Sequence, residues 1–513
     1  MDSEDRNMNF YKKQDCQIES FLTRGGTKLW IIWLLIGIAW LIVNALTLQW
    51  WTLRWQDESQ LLEIGRVVSL PESPYFNTYL AGRRLFSNGA LAMYLLHSKF
   101  GWLGMRFALL LFQLAAATLF LWWGLLQKIR ETMAVGLAVL LLLEPYGLLM
   151  TRAARLEPMI LCALFGCLLL LQMSRNGKGA WSVPPCRLPL FGAGFLFFIM
   201  FSVWFRSVLY FPLVGMFLLE FLFLEPWRHQ KPTGKEFLLR VAHVVLWFGF
   251  GGLISAGIGL IPYYKEFGNV VETILISVHS DTSIGFRAMA LAALKFCQID
   301  FLLLLLGLTA FLAQRLWYLI IAGICFLGYC LFGKFPAAYV AVYLLIYCMM
   351  AFAVPSSPRL TRWRKWLMIC GIIWFAGYSL LYPTLVFLAS PSLREASDSR
   401  RLTRIAEAIP PGEKVMIECF MYQDGRARNW KMVNYYMHDN FDEMDWCILS
   451  PPRYEKFKAR LDAAGYRVVR KFEAPSFRTV FPRTMMWTTC GNGYPETWIL
   501  RRSAPDGESR TAD

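Results

Sequence analysis

The sequence predicts an all-α polytopic membrane bundle followed by a small extracytoplasmic α/β domain. Of the 513 residues, 56% are hydrophobic and 17% are charged, whereas soluble globular chains carry about 25% charge. Apolar runs long enough to span a bilayer, about 17–25 residues each, recur between residues 29 and 390. Beyond residue 390 the pattern changes to short strand-like and helical segments. These observations exclude a soluble globular protein.

Residues 1–28 are polar and are predicted to form a cytoplasmic tail. The first apolar run is too long for the core of a signal peptide and lacks a small-residue cleavage site, so we interpret it as a retained anchor. About eleven spans are predicted. They are 29–50, 101–127, 132–150, 157–174, 188–205, 207–225, 239–262, 290–313, 316–332, 336–355 and 367–390.

The distribution of basic residues predicts the topology. With the amino terminus inside, every inner loop is basic, as the positive-inside rule requires, and the odd number of spans puts the carboxyl-terminal tail outside. The net charge of +16 therefore reflects membrane insertion and not nucleic-acid binding, which we exclude. The inner basic residues are Lys12, Lys13, Arg24, Lys28, Lys128, Arg130, Arg175, Lys178, Arg187, Arg228, Lys231, Lys235, Arg315, Arg359, Arg362, Arg364 and Lys365.

Three polar segments are predicted to lie outside: 51–100, 263–289 and 391–513. The first opens with Asp57-Glu58 and continues as an amphipathic helix, which we expect to lie in the interface plane with its apolar face on the membrane. The apolar face consists of Leu61, Ile64 and Val68, and the polar face consists of Ser59, Glu63 and Arg66.

The tail, 391–513, is predicted to be a small α/β domain with a largely parallel sheet, because strand-like runs alternate with helical patterns. No glycine-rich turn follows its first strand, which argues against nucleotide binding. The spacing of its three cysteines leaves any disulfide pairing open. The predicted strands are Lys414–Phe420, Trp446–Ser450, Tyr466–Phe472 and Thr497–Arg501, and a helix is predicted over Tyr454–Ala464.

Charged residues collect at the predicted outer ends of the spans. Each one, taken alone, marks the end of a helix, but ionisable groups at membrane depth cost about 2.5–3.5 kcal/mol and usually have partners or a function. Outer loops are also poor in cations as a rule. Together these residues indicate an anion site beside a carboxylate base, a combination that suits glycosyl transfer from a lipid phosphate. They are Asp57, Glu58, Arg152, Arg155, Glu157, Arg206 and Lys334.

Several of these segments, in order, resemble the GT-C glycosyltransferases, and most closely the family of protein O-mannosyltransferases and the lipid A aminoarabinose transferase. Asp57-Glu58 with the following helix resembles the first outer loop of that family. The resemblance covers most of residues 29–355 and depends on order and topology more than on one motif. The other matching segments are Ser87-Asn88-Gly89 to Leu96, Gly104 to Arg106, Arg152 to Glu157, Arg206 to Pro212 and Lys334-Phe335-Pro336 before Tyr339.

The resemblance implies a role for each matching residue. Asp57 would be the base, Glu157 a second carboxylate that orients the acceptor or the sugar, and Glu58 the ligand of a divalent cation in metal-dependent relatives. The nearer relatives resemble metal-free enzymes, so we predict no metal and no cofactor. Glu157 stands where the family usually has Asp, and Arg206 stands where Lys is common. Both replacements keep the charge of the side chain but change its length. The donor phosphate would be held by Arg206, Lys334, Arg66, Arg83, Arg84 and Arg152.

The resemblance implies a transferase that uses a polyprenyl-phosphate sugar at the outer face of a bacterial cytoplasmic membrane. The outer segments contain no N-glycosylation sequon, which fits a bacterial source. A transporter or flippase for lipid-linked sugars is the first alternative, although the repeated halves typical of that class are absent from the sequence. A membrane scaffold is the second. The sugar stays open, as does the acceptor, which is a lipid, a glycan or a protein.

Overall fold

The protein is described by a computed structural model with two parts, a helical bundle and a carboxyl-terminal α/β domain. The described residues are 26–48, 56–69, 87–144, 148, 155–175, 181, 184–261, 302, 305, 358–381, 399–418, 421–434, 441–473 and 496–503.

The described helices overlap most of the predicted spans, although several bounds differ. Among them, α1, α3 and α9 are long and apolar enough to cross a membrane, and α4, α5 and α6 are shorter apolar helices. The predicted spans 290–313, 316–332 and 336–355 lie almost entirely outside the described residues. The helices are α1 (Gly26–Thr47), α2 (Gln56–Ser69), α3 (Asn88–Leu126), α4 (Glu131–Leu143), α5 (Glu157–Met173), α6 (Arg187–Val203), α7 (Phe211–Leu219), α8 (Glu225–His229), α9 (Gly234–Leu260) and α10 (Pro358–Ala376).

Helix α3 begins earlier than the predicted second span. It has 39 residues and would be about 58 Å long if straight, far more than the hydrocarbon core of a bilayer, about 30 Å. A kink at Gly101 resolves the excess length, because its backbone (φ 67°, ψ −171°) is left-handed and breaks the helix in two. The part before the kink, within the outer segment predicted over 51–100, is therefore helical.

The bundle interior is a continuous apolar core with an aromatic centre. Phe120, Trp123, Phe165 and Phe217 are fully buried, and their ring centroids lie 4.9–6.0 Å apart in the contacting pairs. Helix α6 packs along α9 so closely that a Cβ atom on Gly194 would lie 1.9 Å from the carbonyl oxygen of Phe248. Small residues at such crossings let two apolar helices approach backbone to backbone.

The region predicted as one span, 207–225, is built from several short pieces. Trp204 is extended (φ −162°, ψ 125°) and ends α6. A 3₁₀ turn, Phe205–Tyr210, follows it, then α7, a π-helical turn at Glu220–Leu224 and α8. Proline at the start of α7 suits the new helix, because its missing N–H is unneeded there. The predicted split at Arg206 is confirmed.

In its described residues, the carboxyl-terminal domain is a five-stranded sheet with helices and an apolar core on both faces. The strand order is β2-β1-β3-β5-β4. The sheet is largely parallel, as predicted: β1, β2, β3 and β4 run in one direction, and β5 lies antiparallel between β3 and β4. The elements are α11 (Ser399–Glu407), β1 (Lys414–Ile417), α12 (Tyr422–Ala427), β2 (Lys431–Asn434), β3 (Trp446–Leu449), α13 (Pro451–Ala463), β4 (Tyr466–Phe472) and β5 (Thr497–Arg502).

Cys447 on β3 is a buried free thiol. Burial raises its pKa to about 12, so at neutral pH it is a small apolar residue of the core. Cys419 and Cys490, the other two cysteines of the tail, lie outside the described residues.

Candidate functional site

The ends of four helices meet at one end of the bundle. A Cβ atom on Gly89, in the first turn of α3, would lie 2.8 Å from Val203 Cγ1 and 2.9 Å from Leu156 Cδ2. The side-chain amide of Asn88 donates a hydrogen bond of 2.8 Å to the carbonyl oxygen of Gly259. The start of α3 therefore touches the end of α6, the residue before α5 and the end of α9. We call this meeting point, formed by Asn88, Gly89, Leu156, Val203 and Gly259, the junction.

The junction brings together segments that are far apart in the chain but that the sequence predicts on the same side. With the amino terminus inside, the start of α3, the start of α5, the end of α6 and the end of α9 are all predicted outer ends. Their contact confirms that these helices alternate in direction as predicted. Three of the segments that resemble the glycosyltransferase family, at Asn88, Glu157 and Arg206, thus lie at or beside the junction.

Helix α2 packs against α3 next to the junction. Gly65 lets α2 approach until its Cα is nearly in contact with the backbone of Ala90, because a Cβ atom there would lie 2.1 Å from the carbonyl oxygen of Ala90. Leu61, Ile64 and Val68 are buried in the core of the bundle. The prediction that this face rests on the membrane is therefore wrong: α3 covers it.

Asp57 and Glu58 lie in the first turn of α2. A carboxylate there interacts favourably with the helix dipole. Only the backbone of these two residues is described. Their predicted catalytic roles stay predictions. Residues 70–86 of the first outer loop, with Arg83 and Arg84, lie outside the described residues.

Glu157 opens α5 and forms an ion pair with Arg155. The guanidinium donates from Nη2 to Oε1 at 3.1 Å and from Nε to Oε2 at 3.4 Å, and both side chains are buried. A buried pair of this kind holds the carboxylate in one orientation, because breaking it would leave a charge without compensation. The carboxylate can accept further hydrogen bonds from a hydroxyl group. In the sequence, Arg155 is only one of the outer charges, and its pairing with Glu157 is seen in the structure.

Arg206 lies in the 3₁₀ turn between α6 and α7, three residues beyond Val203 of the junction. Its backbone is therefore near the start of α3, and its side chain is not described. Arg152 and Lys334 lie outside the described residues. Their predicted phosphate contacts stay predictions.

The polar face of α2 is also covered, by the carboxyl-terminal domain. Glu63 is 5% exposed. Arg66 donates to it at 2.7 Å from Nη2, and Arg426 of α12 donates from Nε at 3.1 Å and from Nη2 at 2.5 Å. Arg66, which the sequence predicted as a phosphate ligand, thus has a carboxylate partner. The i,i+3 spacing of Glu63 and Arg66 signals their pairing, whereas nothing local points to Arg426, 363 residues away.

Glu144 and Arg106 are buried charges that the sequence did not single out as site residues. Glu144 follows α4 and is 1% exposed, and Arg106 lies inside α3 at 3% exposure. An ionisable residue inside an apolar run is the signal that would have found Arg106. Over the residues with a described structure, no group of three His, Cys, Asp or Glu side chains could hold a metal ion.

Two solved structures share the fold of the chain. The apo crystal structure of ArnT from Cupriavidus metallidurans matches with a TM-score of 0.51 and 12% identity, covering 91% of this chain and 97% of that one. The structure of the same ArnT bound to undecaprenyl phosphate matches with a TM-score of 0.51 and 13% identity, over 91% and 98%. No family model matches the sequence, and neither does any curated protein. The GT-C fold predicted from the sequence is confirmed.

Proposed function

We propose that the protein is a membrane glycosyltransferase that moves a sugar from a polyprenyl-phosphate carrier to an acceptor outside the cytoplasm. One observation carries the proposal: 91% of the chain shares the fold of an ArnT structure that is bound to undecaprenyl phosphate. The junction with its surrounding charges supports it, because transfer from a lipid phosphate needs cations for the phosphate and a carboxylate for the acceptor.

In the proposed reaction, a carboxylate acts on the acceptor and cations act on the phosphate. An acceptor hydroxyl attacks the anomeric carbon, and its proton passes to a carboxylate, for which we propose Asp57 in the first turn of α2. The bond between the anomeric carbon and the phosphate oxygen breaks, and the polyprenyl phosphate leaves as an anion. Cations stabilise the charge that develops on that phosphate. Because the leaving group is an anion, no acid is needed on its side.

The remaining roles rest on the resemblance to the glycosyltransferase family and, for Glu157 and Arg206, also on their position beside the junction. Glu157, held by Arg155, is proposed to orient the acceptor or the sugar through a hydroxyl hydrogen bond. Arg206, at the break beside the junction, is proposed to hold the donor phosphate together with Lys334, Arg83, Arg84 and Arg152. Glu58 is the carboxylate nearest to Asp57 in sequence, and we propose no metal for it.

The proposed location is the cytoplasmic membrane of a bacterium, with the junction and the carboxyl-terminal domain on the outer side. The helices α1, α3 and α9 are long and apolar enough for a membrane, and the basic inner loops favour this orientation. The acceptor is a lipid, a glycan or a protein.

A turnover assay with purified protein tests the proposal. The protein is reconstituted in nanodiscs and given a panel of undecaprenyl-phosphate-linked hexoses and pentoses, each with lipid, glycan and peptide acceptors, and the release of undecaprenyl phosphate is measured. We expect release of undecaprenyl phosphate from at least one donor, and we expect this release to require an acceptor. Movement of intact donor across vesicles without release would support a flippase instead. Neither activity with any donor would support a scaffold and overturn the proposal.

A further inference from the structure

Helix α2 contacts two parts of the molecule, helix α3 on one side and the carboxyl-terminal domain on the other. Its glycine side lies on the backbone of α3 at Ala90. Its carboxylate side, at Glu63, lies against Arg426 of the carboxyl-terminal domain. The predicted catalytic carboxylate, Asp57, is on this same helix, six residues before Glu63 and therefore about 9 Å along the axis.

The contact between Glu63 and Arg426 is a forked ion pair in which the carboxylate is buried and the guanidinium is partly exposed. The side chain of Glu63 is 6% exposed and that of Arg426 is 34% exposed. Nη2 of Arg426 lies 2.5 Å from both carboxylate oxygens, and Nε lies 3.1 Å from Oε2. Two-point contacts of this kind fix the relative orientation of the two side chains as well as their distance. Exposed single-point pairs have little such effect.

Arg426 is mounted rigidly on its own domain. Its neighbour Gly425 lies so close to β2 that a Cβ atom there would be 2.2 Å from the sulfur of Met432. The N–H of Trp430 donates to the carbonyl oxygen of Gly425 at 3.0 Å, and its indole N–H donates to Pro410 at 2.9 Å. A shift of the backbone at Arg426 would therefore disturb its packing on β2. The point from which the Arg426 side chain reaches Glu63 is thus set by the domain.

We propose that Arg426 is a positioning residue for the transfer site: through Glu63 the carboxyl-terminal domain fixes the rotation of α2 and hence the position of Asp57. This inference rests on the proposed function. It gives the domain a role that the α/β fold does not suggest, since the domain completes the site by holding a helix and need not touch the substrate. Arg66 holds the same carboxylate from within α2, so it cannot replace the contact between the two parts.

The matched control is Arg428. It is two residues beyond Arg426 and has the same charge, but its guanidinium donates to the carbonyl oxygen of Ile409 inside its own domain, at 3.0 Å. Arg426→Gln and Arg428→Gln therefore change the net charge of the domain equally. Only the first removes a contact with α2. Arg426→Lys keeps the charge and removes the fork.

The first measurement is hydrogen–deuterium exchange of the full-length protein in nanodiscs, which does not depend on any substrate. Arg426→Gln and Glu63→Gln should raise the exchange of residues 56–69 at least several-fold, because helix amides exchange faster when local packing is lost. Arg428→Gln should leave that segment at the wild-type rate. Unchanged exchange of 56–69 in both Arg426→Gln and Glu63→Gln would overturn the proposal.

The second measurement separates positioning from stability. With the lipid-linked sugar that the wild-type protein turns over, Arg426→Gln should lower kcat by about ten- to a hundredfold and leave KM for the donor nearly unchanged, because a misplaced base slows chemistry more than binding. The kcat of Arg426→Lys should lie between those of the wild-type protein and Arg426→Gln. Faster exchange with wild-type kcat would overturn the positioning role. If wild-type protein turns over no donor, the proposed function fails, while the exchange result still decides whether Arg426 holds α2.

Discussion

Gly65→Ala is expected to push α2 away from α3 and to slow transfer strongly. The new Cβ atom would lie 2.1 Å from the carbonyl oxygen of Ala90, 2.6 Å from its carbonyl carbon and 2.7 Å from Tyr94 Cβ. Heavy atoms in contact prefer about 3.5–4.0 Å, so a gap of more than 1 Å must open. The first two atoms belong to the backbone of α3, which cannot rotate aside.

The magnitude follows from the balance of two terms. Overpacking of this kind costs about 1–3 kcal/mol, and the replacement of glycine by alanine in a helix returns up to about 1 kcal/mol. The docking of α2 is therefore weakened, while the rest of the bundle is untouched. Because a misplacement of about 1 Å can reduce a rate about a hundredfold, kcat should fall by that order, with a smaller change in the affinity for the donor.

The assay is release of undecaprenyl phosphate from the active donor, with exchange of residues 56–69 as the structural readout. Gly249→Ala in α9 is the matched control, because a Cβ atom there meets no other atom within 4 Å. It should keep wild-type turnover. Wild-type turnover and exchange in Gly65→Ala would show that α2 does not pack on α3 as described, and would refute the reasoning.

Three other predictions follow. Neutralising Arg206 or Lys334 should weaken undecaprenyl phosphate binding by about ten- to a hundredfold, equivalent to about 1.4–2.8 kcal/mol, and unchanged affinity in both variants would leave the phosphate site without support. Reporter fusions after residue 390 should be active only with an exported reporter, and cytoplasmic activity would overturn the topology. Burial raises the pKa of Glu418 above its ordinary 4.5, against the hydrogen bonds from Ser450, so the ionised form destabilises the domain and its stability falls as the pH rises through the folded pKa. At neutral pH, the amides of β1 should therefore exchange more slowly in Glu418→Gln than in the wild-type protein, and near pH 4 the two proteins should exchange at the same rate. The same rate in both proteins at both pH values would contradict this prediction.

The sequence predicted the features that follow from local periodicity. The long apolar runs became α1, α5, α6 and α9, because a backbone in lipid must satisfy its own hydrogen bonds. Strand β4 has the predicted bounds, Tyr466–Phe472. A largely parallel sheet was also predicted, since helices between strands impose parallel crossovers.

The features that escaped prediction depend on contacts between distant segments. Strand β2, Lys431–Asn434, is only four residues long and is defined by its pairing with β1. Helix α3 extends to Asn88 because its first turns pack on α2 and the junction, contacts between segments that are distant in the chain. Arg426 is one of many arginines in the sequence, and only the fold brings it to Glu63. The residues next to Arg426 in the sequence do not indicate that it pairs with Glu63.

The central claim is that a carboxylate of α2 takes the proton of the acceptor. Asp57→Asn tests it most directly, because asparagine keeps the size of the side chain and stabilises a helix start nearly as well, yet does not accept a proton at neutral pH. The account predicts a folded variant with wild-type affinity for undecaprenyl phosphate and a turnover about a hundred- to ten-thousandfold lower. A folded Asp57→Asn protein with wild-type turnover would contradict the account and leave Glu58 and Glu157 as the carboxylates to test.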